Sequence, residues 1–365
     1  MLNRWPERIW YGDSAWTGLA RGALAPAGWL YAGATALRNR LYDAGLLHSE
    51  DPALPTLDIG NISVGGTGKT PVAAWAAAEL LRAGARPAIV LRGYGDDEPL
   101  VHARLNPAAL ISVDADRVRG VERARAAGAD CVILDDAFQH RRIRRNEDWL
   151  LIAAEQWRPT QRCLPAGPLR EPVRGMARAS VIAVTRKSAS GDRAEAIATR
   201  IEKDAPGVPT AIFHLAPEAL RSPLDDSMAP LSMLDGARVL AIAAVGAPDA
   251  FLEQLRQAGA QVEAMVYRDH HAFDAQDAAS LARRAAAVDL VVCTLKDAVK
   301  LAPLWPHKGP ALWYVSQCAV VERGRSALDI SLTNILASRA SAPPTAGPAG
   351  PGAPDHGYRS SPADQ

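Results

Sequence analysis

The chain has 365 residues, with 41 basic and 40 acidic side chains and a net charge of +1. That length exceeds what one hydrophobic core usually serves, so two domains are expected, and the balanced charge excludes bulk electrostatic binding of nucleic acid. The four cysteines, Cys131, Cys163, Cys293 and Cys318, form no C-x-x-C pair, which argues against a zinc site or a disulfide framework and fits a reducing cytoplasm.

Residues 1–40 read as a membrane-associated helical segment. Ala15 to Leu37 is apolar apart from Arg21 and is interrupted by Pro26; Arg4, Arg8, Arg38 and Arg40 flank it. Its length approaches the roughly 20 residues that cross a bilayer. One arginine and one proline favour a helix lying in the interface instead, where Trp10, Trp16, Trp29 and Tyr31 would sit. Packing against the protein's own core is the competing reading of the same segment.

The apolar run Thr56–Val64 leads into Gly65, Gly66 and Gly68, then Lys69, Thr70 and an alanine-rich helical pattern over Val72–Ala83. Strand, glycine loop and helix in that order are what a phosphate-binding P-loop needs. Glycines let backbone N–H groups converge on phosphate oxygens, and the helix N-terminus adds its dipole. The loop Ser63, Val64, Gly65, Gly66, Thr67, Gly68, Lys69, Thr70 is therefore the expected nucleotide site, with Ser63 where the general pattern has glycine. Lys69 would reach the β- and γ-phosphates, and Thr70 would offer its hydroxyl to Mg²⁺.

Further short apolar runs predict strands at Pro87–Leu91, Leu110–Val113, Cys131–Leu134, Leu150–Ala153, Val181–Thr185 and Pro209–Leu215, with helices over Ala115–Ala127 and Arg193–Lys203. Continuous apolarity implies strands buried on both faces, hence a parallel sheet in residues 41–220. Between the second and third strands, Arg92–Pro99 reads as a loop carrying Asp97 and Glu98, where a carboxylate would accept a hydroxyl proton. Asp135 and Asp136 end the Cys131 strand, in position to hold Mg²⁺, and Gln139, His140, Arg141 and Arg142 follow as donors toward phosphate. The stiff loop Leu164–Pro172 presents Arg170 and Glu171, the arginine suited to phosphate.

Ala216–Ala237 reads as a linker, with its core assigned to 221–237. A smaller α/β domain, 238–320, follows with strands Val239–Val245, Gln261–Tyr267, Leu290–Thr294 and Ala311–Val315 and helices Pro248–Ala258 and Asp274–Ala287. Arg268-Asp269-His270-His271 closes its second strand; an Asp–His pair tuning a general base is the sharper use of it. Thr294-Leu295-Lys296-Asp297 matches a guanine reader only loosely, which favours ATP. A C-terminal helix is expected over 321–337, and the Pro-, Gly- and Ser-rich stretch 338–365 is expected to be disordered.

Together GNISVGGTGKTP, RGYG, DEP, DDAFQH, LPAGPLRE, RDHHAF and TLKDAVKL resemble, in order, the tetraacyldisaccharide 4'-kinases, the lipid A 4'-kinases of Gram-negative bacteria. Ala137 stands where that family commonly has glycine, and Leu295 where glutamate is usual. The resemblance implies an α/β fold with a P-loop domain and a smaller second domain. It also implies ATP- and Mg²⁺-dependent phosphorylation of an acylated glucosamine disaccharide 1-phosphate at the cytoplasmic face of the inner membrane, by a monomer. It assigns catalysis to Asp97 as base with His270 paired to it, and to Lys69, Asp136 and Arg170. Thr70, Asp135, Asp136 and Glu171 become the metal-side groups, and Glu98, Gln139, His140 and Arg170 the substrate-side groups. The competing class is a membrane-docking partition or septum-site ATPase, whose extra P-loop lysine would stand at Val64.

Overall fold

The computed structural model describes residues 5–93, 97–158, 161–246 and 248–339. Strands β1 (Thr56–Asn61), β2 (Pro87–Leu91), β3 (Leu110–Val113), β4 (Cys131–Asp135), β5 (Glu147–Ala153) and β6 (Val181–Arg186) form the first half of a parallel sheet. β7 (Thr210–Arg221), with β8 (Met228–Ala229) pairing back on it, leads to a second parallel set, β9 (Arg238–Ala243), β10 (Gln261–Val266) and β11 (Leu290–Cys293), and to β12 (Leu312–Arg323). The order along the twelve-stranded sheet is β10-β9-β11-β12-β7-β6-β5-β1-β4-β2-β3, with β8 off the path.

Helices cover both faces, as an all-apolar parallel strand requires. Over the first half, α3 (Lys69–Arg82) and α10 (Arg325–Arg339) bury Val72, Leu80, Leu328 and Ile335 against Ile59 and Ile133. On the opposite face α5 (Arg117–Ala126) and α6 (Gly191–Asp204) bury Val121 and Ile201. In the second half α7 (Pro248–Gln257) packs Leu255 on Val239, while α8 (Ala275–Arg284) and α9 (Leu295–Leu301) pack Leu281 and Leu301 on Leu240. Cys131 and Cys293 are buried in β4 and β11, as the apolar runs around them predict.

Three expectations are corrected. The segment Ala216–Ala237 does not begin as a linker, because β7 continues to Arg221 and pairs antiparallel with β12 from Tyr314–Arg221 to Arg323–Ile212. Pro217 and Glu218 obscure this strand in the sequence; the register shifts between Ser316 and Gln317 at that proline, which has no N–H to give the ladder. The strand forecast at Ala311–Val315 is accordingly twelve residues long and crosses the expected boundary at 320. The first strand stops at Asn61 instead of Val64, because Ile62 and Ser63 turn to bond the Leu169–Arg170 segment, with Arg170 N–H on the Ile62 carbonyl at 2.8 Å. The tail forecast for 338–365 falls outside the described residues beyond Arg339.

Helices α1 (Trp5–Tyr11) and α2 (Ala15–Asp43) form a hairpin on the larger half. Arg21, which breaks the apolar run, donates to the carbonyls of Ile9 at 2.7 Å and Gly12 at 2.8 Å, satisfying groups at the end of α1 that lack intrahelical partners. One stripe of α2 buries Thr17, Ala25, Gly28 and Ala36. Gly28 lies where a Cβ would come 3.0 Å from Ala166 Cβ and 3.2 Å from the Cys163 carbonyl, so the helix rests directly on the Leu164–Pro172 loop. The outer stripe leaves Leu19 and Leu30 each 77% exposed and Trp29 71% exposed. The inner stripe thus packs on the protein, as the competing reading of this segment expected, and the outer stripe is exposed. No helix of the described residues is long and apolar enough to cross a membrane.

Helix α10 returns from the end of β12 to the first half, where Ser331 accepts from Trp149 Nε1 at 2.7 Å and donates to Glu147 at 2.8 Å. Ile335→Ala removes a fully buried side chain there and is expected to cost about 2–5 kcal/mol in denaturant unfolding at unchanged m-value. A loss below about 1 kcal/mol would show that α10 is not integral to the larger core.

Candidate active site

The loop between β1 and α3 is built for close backbone approach. Gly65 and Gly68 have φ of 121° and 80°, and a Cβ on Gly68 would lie 2.3 Å from Leu215 Cδ1. Asn61 Nδ2 holds Thr67 Oγ1 at 3.0 Å, Thr185 Oγ1 donates to the Thr67 carbonyl at 2.8 Å, and Val64 N–H donates to the Pro168 carbonyl at 2.9 Å. Strands β1 and β6 and the proline loop therefore all fix this turn. Lys69 and Thr70 open α3 beside it.

The adjacent strand β4 ends in two carboxylates with different surroundings. Asp135 is buried, its Oδ2 3.0 Å from His102 Nε2 and its backbone carbonyl accepting from Arg117 at 2.8 Å. Burial pushes its carboxyl up, but the bond to His102 and the charges of His102, Lys69 and Arg117 outweigh that, leaving it below the ordinary carboxylate range. Asp136 is left-handed at φ 60°, more exposed, and shared by two cations: Arg170 Nη1 at 2.9 and 3.0 Å from its oxygens, and Lys69 Nζ at 3.7 Å. Gln139 joins this group, its Oε1 3.4 Å from Arg170 and its Nε2 donating to the Asn61 carbonyl at 2.9 Å and to Glu171 at 3.1 Å.

Glu171 departs from its expected place as a metal ligand. It is buried, and both oxygens are engaged by Asn39, Gln139 and Arg178, so it braces the Arg170 loop against α2 and the Asp136 turn. The run after Gln139 is also corrected. Arg141 is spent on the Asn39 carbonyl and Asp43, and Arg142 on Glu50 and Asp116, because the chain turns sharply at His140 toward α2. His140 has a buried Nε2 with no hydrogen-bond partner among the described residues, and burial together with Arg117 and Arg145 lowers its pKa, which works against its adding positive charge.

Asp97 is the first residue of α4 (Asp97–Leu105), not part of a loop; Tyr94–Asp96 before it lie outside the described residues. Acidic side chains at a helix start are favoured by the dipole. Its carboxylate is buried and lies 3.2 Å from Nδ1 of His270, a residue 173 positions away with left-handed φ of 56°. Glu98, half-buried, has its carboxyl raised by burial and by Asp135, with Lys296 and Lys69 opposing. His271 is held elsewhere, 2.8 Å from Asp277 and stacked on Tyr267, so His270 alone faces Asp97. The Thr294–Asp297 turn holds the second half's site loop in place. Thr294 caps α9, and buried Asp297 accepts from Ala244 N–H at 3.0 Å, while the Ala244 carbonyl receives His270 N–H at 3.2 Å. Sequence reasoning missed His102, Arg117 and Asn39, and gave no structural role to Asn61 and Asp297 although both lie inside recognised motifs.

This geometry, a glycine loop between a buried parallel strand and a helix with paired carboxylates ending the next strand, is that of a P-loop phosphotransferase. The chain belongs to the tetraacyldisaccharide-1-phosphate 4'-kinase family: the family model described as LpxK, tetraacyldisaccharide-1-P 4'-kinase, matches residues 20–336. A tetraacyldisaccharide 4'-kinase of Halorhodospira halophila is 36% identical over 318 residues, covering 82% of this chain and 88% of that protein. One from Anaeromyxobacter dehalogenans is 36% identical over 362 residues, covering 89% and 94%. The LpxK crystal structure from Aquifex aeolicus, described as an "apo" form in complex with ATP, superposes with a TM-score of 0.68 at 26% identity, covering 87% of this chain and 99% of that one. These matches lend the partition-ATPase reading no support.

Beneath the Asp136 turn, buried Asp58 accepts Ala137 N–H at 2.9 Å while its Oδ2 has no hydrogen-bond partner. Burial first, then the Asp148 charge, push its carboxyl well above the ordinary value. A folded-state acid with a raised pKa keeps its proton when the unfolded chain has lost it, so stability falls as pH rises above the unfolded value near 4. Asp58→Asn keeps the acceptor without the charge. It is expected to raise the melting temperature at pH 8, with the gain vanishing by about pH 4; a gain independent of pH would contradict a raised Asp58.

Proposed function

We propose that this chain transfers the γ-phosphate of ATP to the 4'-hydroxyl of a tetraacyldisaccharide 1-phosphate at the cytoplasmic face of the inner membrane. The observation that carries the reading is the convergence of the Asp97–His270 pair with the phosphate loop through α4, whose neighbouring Glu98 feels both Asp135 and Lys69. Nucleotide phosphates belong against the N–H groups of Gly65–Thr70. Lys69 and Arg170, now sharing Asp136, supply the positive charge that transferring phosphate needs. Asp97 takes the proton of the acceptor hydroxyl, and His270 holds that carboxylate in place and stabilises the charge it carries.

The residues present fit Mg²⁺. Asp135 Oδ1 is buried with no hydrogen-bond partner among the described residues, and Thr70 offers a hydroxyl in the first turn of α3. Mg²⁺ takes one or two protein oxygens and fills the rest of its shell with phosphate and water. Thr70 and Asp135 would hold it, with Asp136 alongside; when bound it neutralises phosphate charge. Glu98, Gln139 and Arg170 are the substrate-side groups.

The test is transfer of labelled γ-phosphate from ATP to the purified disaccharide acceptor. Lys69→Ala is expected to slow turnover on the order of 10³-fold; activity within a few-fold of wild type would remove this loop from the reaction. Asp97→Ala and His270→Ala should each depress turnover, with the double variant little worse than the poorer single one, since paired groups are non-additive. Multiplicative losses would break the pair apart.

The outer stripe of α2 supports interfacial binding, with Arg40 near its end for anionic headgroups and Arg38 beside it, although Arg38 also donates to the Gln139 carbonyl at 2.9 Å. Because the inner stripe braces the Leu164–Pro172 loop, point changes test this better than truncation. Leu19→Ser with Leu30→Ser should lower activity on vesicle-borne acceptor more than on detergent-solubilised acceptor. Equal activity in both would place the docking surface elsewhere.

A further inference from the structure

Helix α4 reaches the cleft at two points. Its first residue, Asp97, meets His270; five residues on, His102 meets Asp135. Five residues advance about 7.5 Å along a helix and turn it well over a quarter circle, so the two side chains leave different faces. His102 has no exposed surface, and among the described residues its Nδ1 has no hydrogen-bond partner. A carboxylate oxygen can only accept, so Nε2 is the donor and gives its hydrogen to Asp135 Oδ2 at 3.0 Å. A fully buried imidazole costs free energy unless its polar atoms are bonded, and a leucine of similar volume would carry no such cost. The polar group is therefore spent on one contact, the carboxylate beside the phosphate loop. The helix also packs on α9 and buries Val101, and its other side-chain bonds lie away from Asp135: Arg104 donates to the Ser222 carbonyl at 2.9 Å and pairs with Asp226, and Asn106, just past its end, donates to the Ala74 carbonyl at 3.1 Å.

We propose that His102 is a positioning residue for the transfer, locking the helix that carries Asp97 to the Asp135 carboxylate so that the acceptor side and the phosphate side of the cleft share one rigid mount. The same bond occupies Oδ2 and leaves Oδ1, which has no hydrogen-bond partner among the described residues, available to a cation. This rests on the reading of Asp97 as base and Asp135 as the Mg²⁺-side acid.

Three substitutions separate the bond from packing. His102→Leu fills the space without a donor; His102→Gln keeps a donor at similar reach; His102→Asn keeps a donor that falls short. In His102→Leu and His102→Asn, kcat per folded molecule is expected to fall about ten-fold while KM for the lipid acceptor stays within about two-fold, and the Mg²⁺ needed for half-maximal rate to rise several-fold. His102→Gln should recover most of both. Binding of a fluorescent ADP, read directly, should lose its tightening by Mg²⁺ in the Leu and Asn variants while Mg²⁺-free binding is unchanged. Unchanged kcat and Mg²⁺ requirement in His102→Leu, or a Gln variant as impaired as the Asn variant, overturns the proposal. If His102→Leu does not fold, the Gln–Asn contrast decides alone. Should Asp97→Ala and Asp135→Asn themselves leave turnover intact, the reading of the site has failed and not the role of His102.

Discussion

The β7–β12 antiparallel ladder is the constraint on which the rest of the molecule depends. It joins two parallel sheets into one, and parallel sheets by themselves have no reason to stop or to meet in a fixed register. Because the ladder is long and shifted at Pro217, it sets where the loop after β10 hangs relative to the loop after β2. His270 and Asp97 lie 3.2 Å apart for that reason, though neither half alone contains the pair. Helix α10, returning from β12 to Trp149 and Glu147, closes the same connection from the other end.

The phosphate end of the cleft is organised by charge sharing. Asp136 carries Lys69 and Arg170 at once, in a left-handed turn that Asp58 pins from below. A carboxylate between two cations keeps both in place and keeps them paired, yet it is exposed enough for a polyanion to compete for them. Glu171 does the complementary work out of reach of solvent, gathering Asn39, Gln139 and Arg178 around the base of the Arg170 loop.

Through Asn39 and Gly28 the N-terminal helix takes part in that arrangement. Its inner stripe supports the loop that presents Arg170, and its outer stripe is apolar and open. A surface suited to a lipid interface and a surface that shapes the site are thus two sides of one helix. Arg21, the residue that most weakens a membrane-spanning reading, is consumed in closing the α1–α2 hairpin.

The local chemistry was legible in the sequence. Buried parallel strands announce themselves as unbroken apolar runs, and β2 begins and ends where its run does. The glycine loop and the Asp135–Asp136 strand end follow from residue type and spacing, because such motifs are contiguous and their geometry is set by nearby backbone. What the tertiary structure alone decided was everything polar that crosses the chain. Pro217 and Glu218 disguise a strand whose pairing partner lies about a hundred residues on, and β pairing is invisible until the partner is known. Glu171 reads as a free acid beside Arg170 and becomes a buried brace only when α2 brings Asn39 to it. His102 has no part in any motif of the sequence until β4 places Asp135 against it, since a hydrogen bond between distant residues leaves no period and no motif in the sequence.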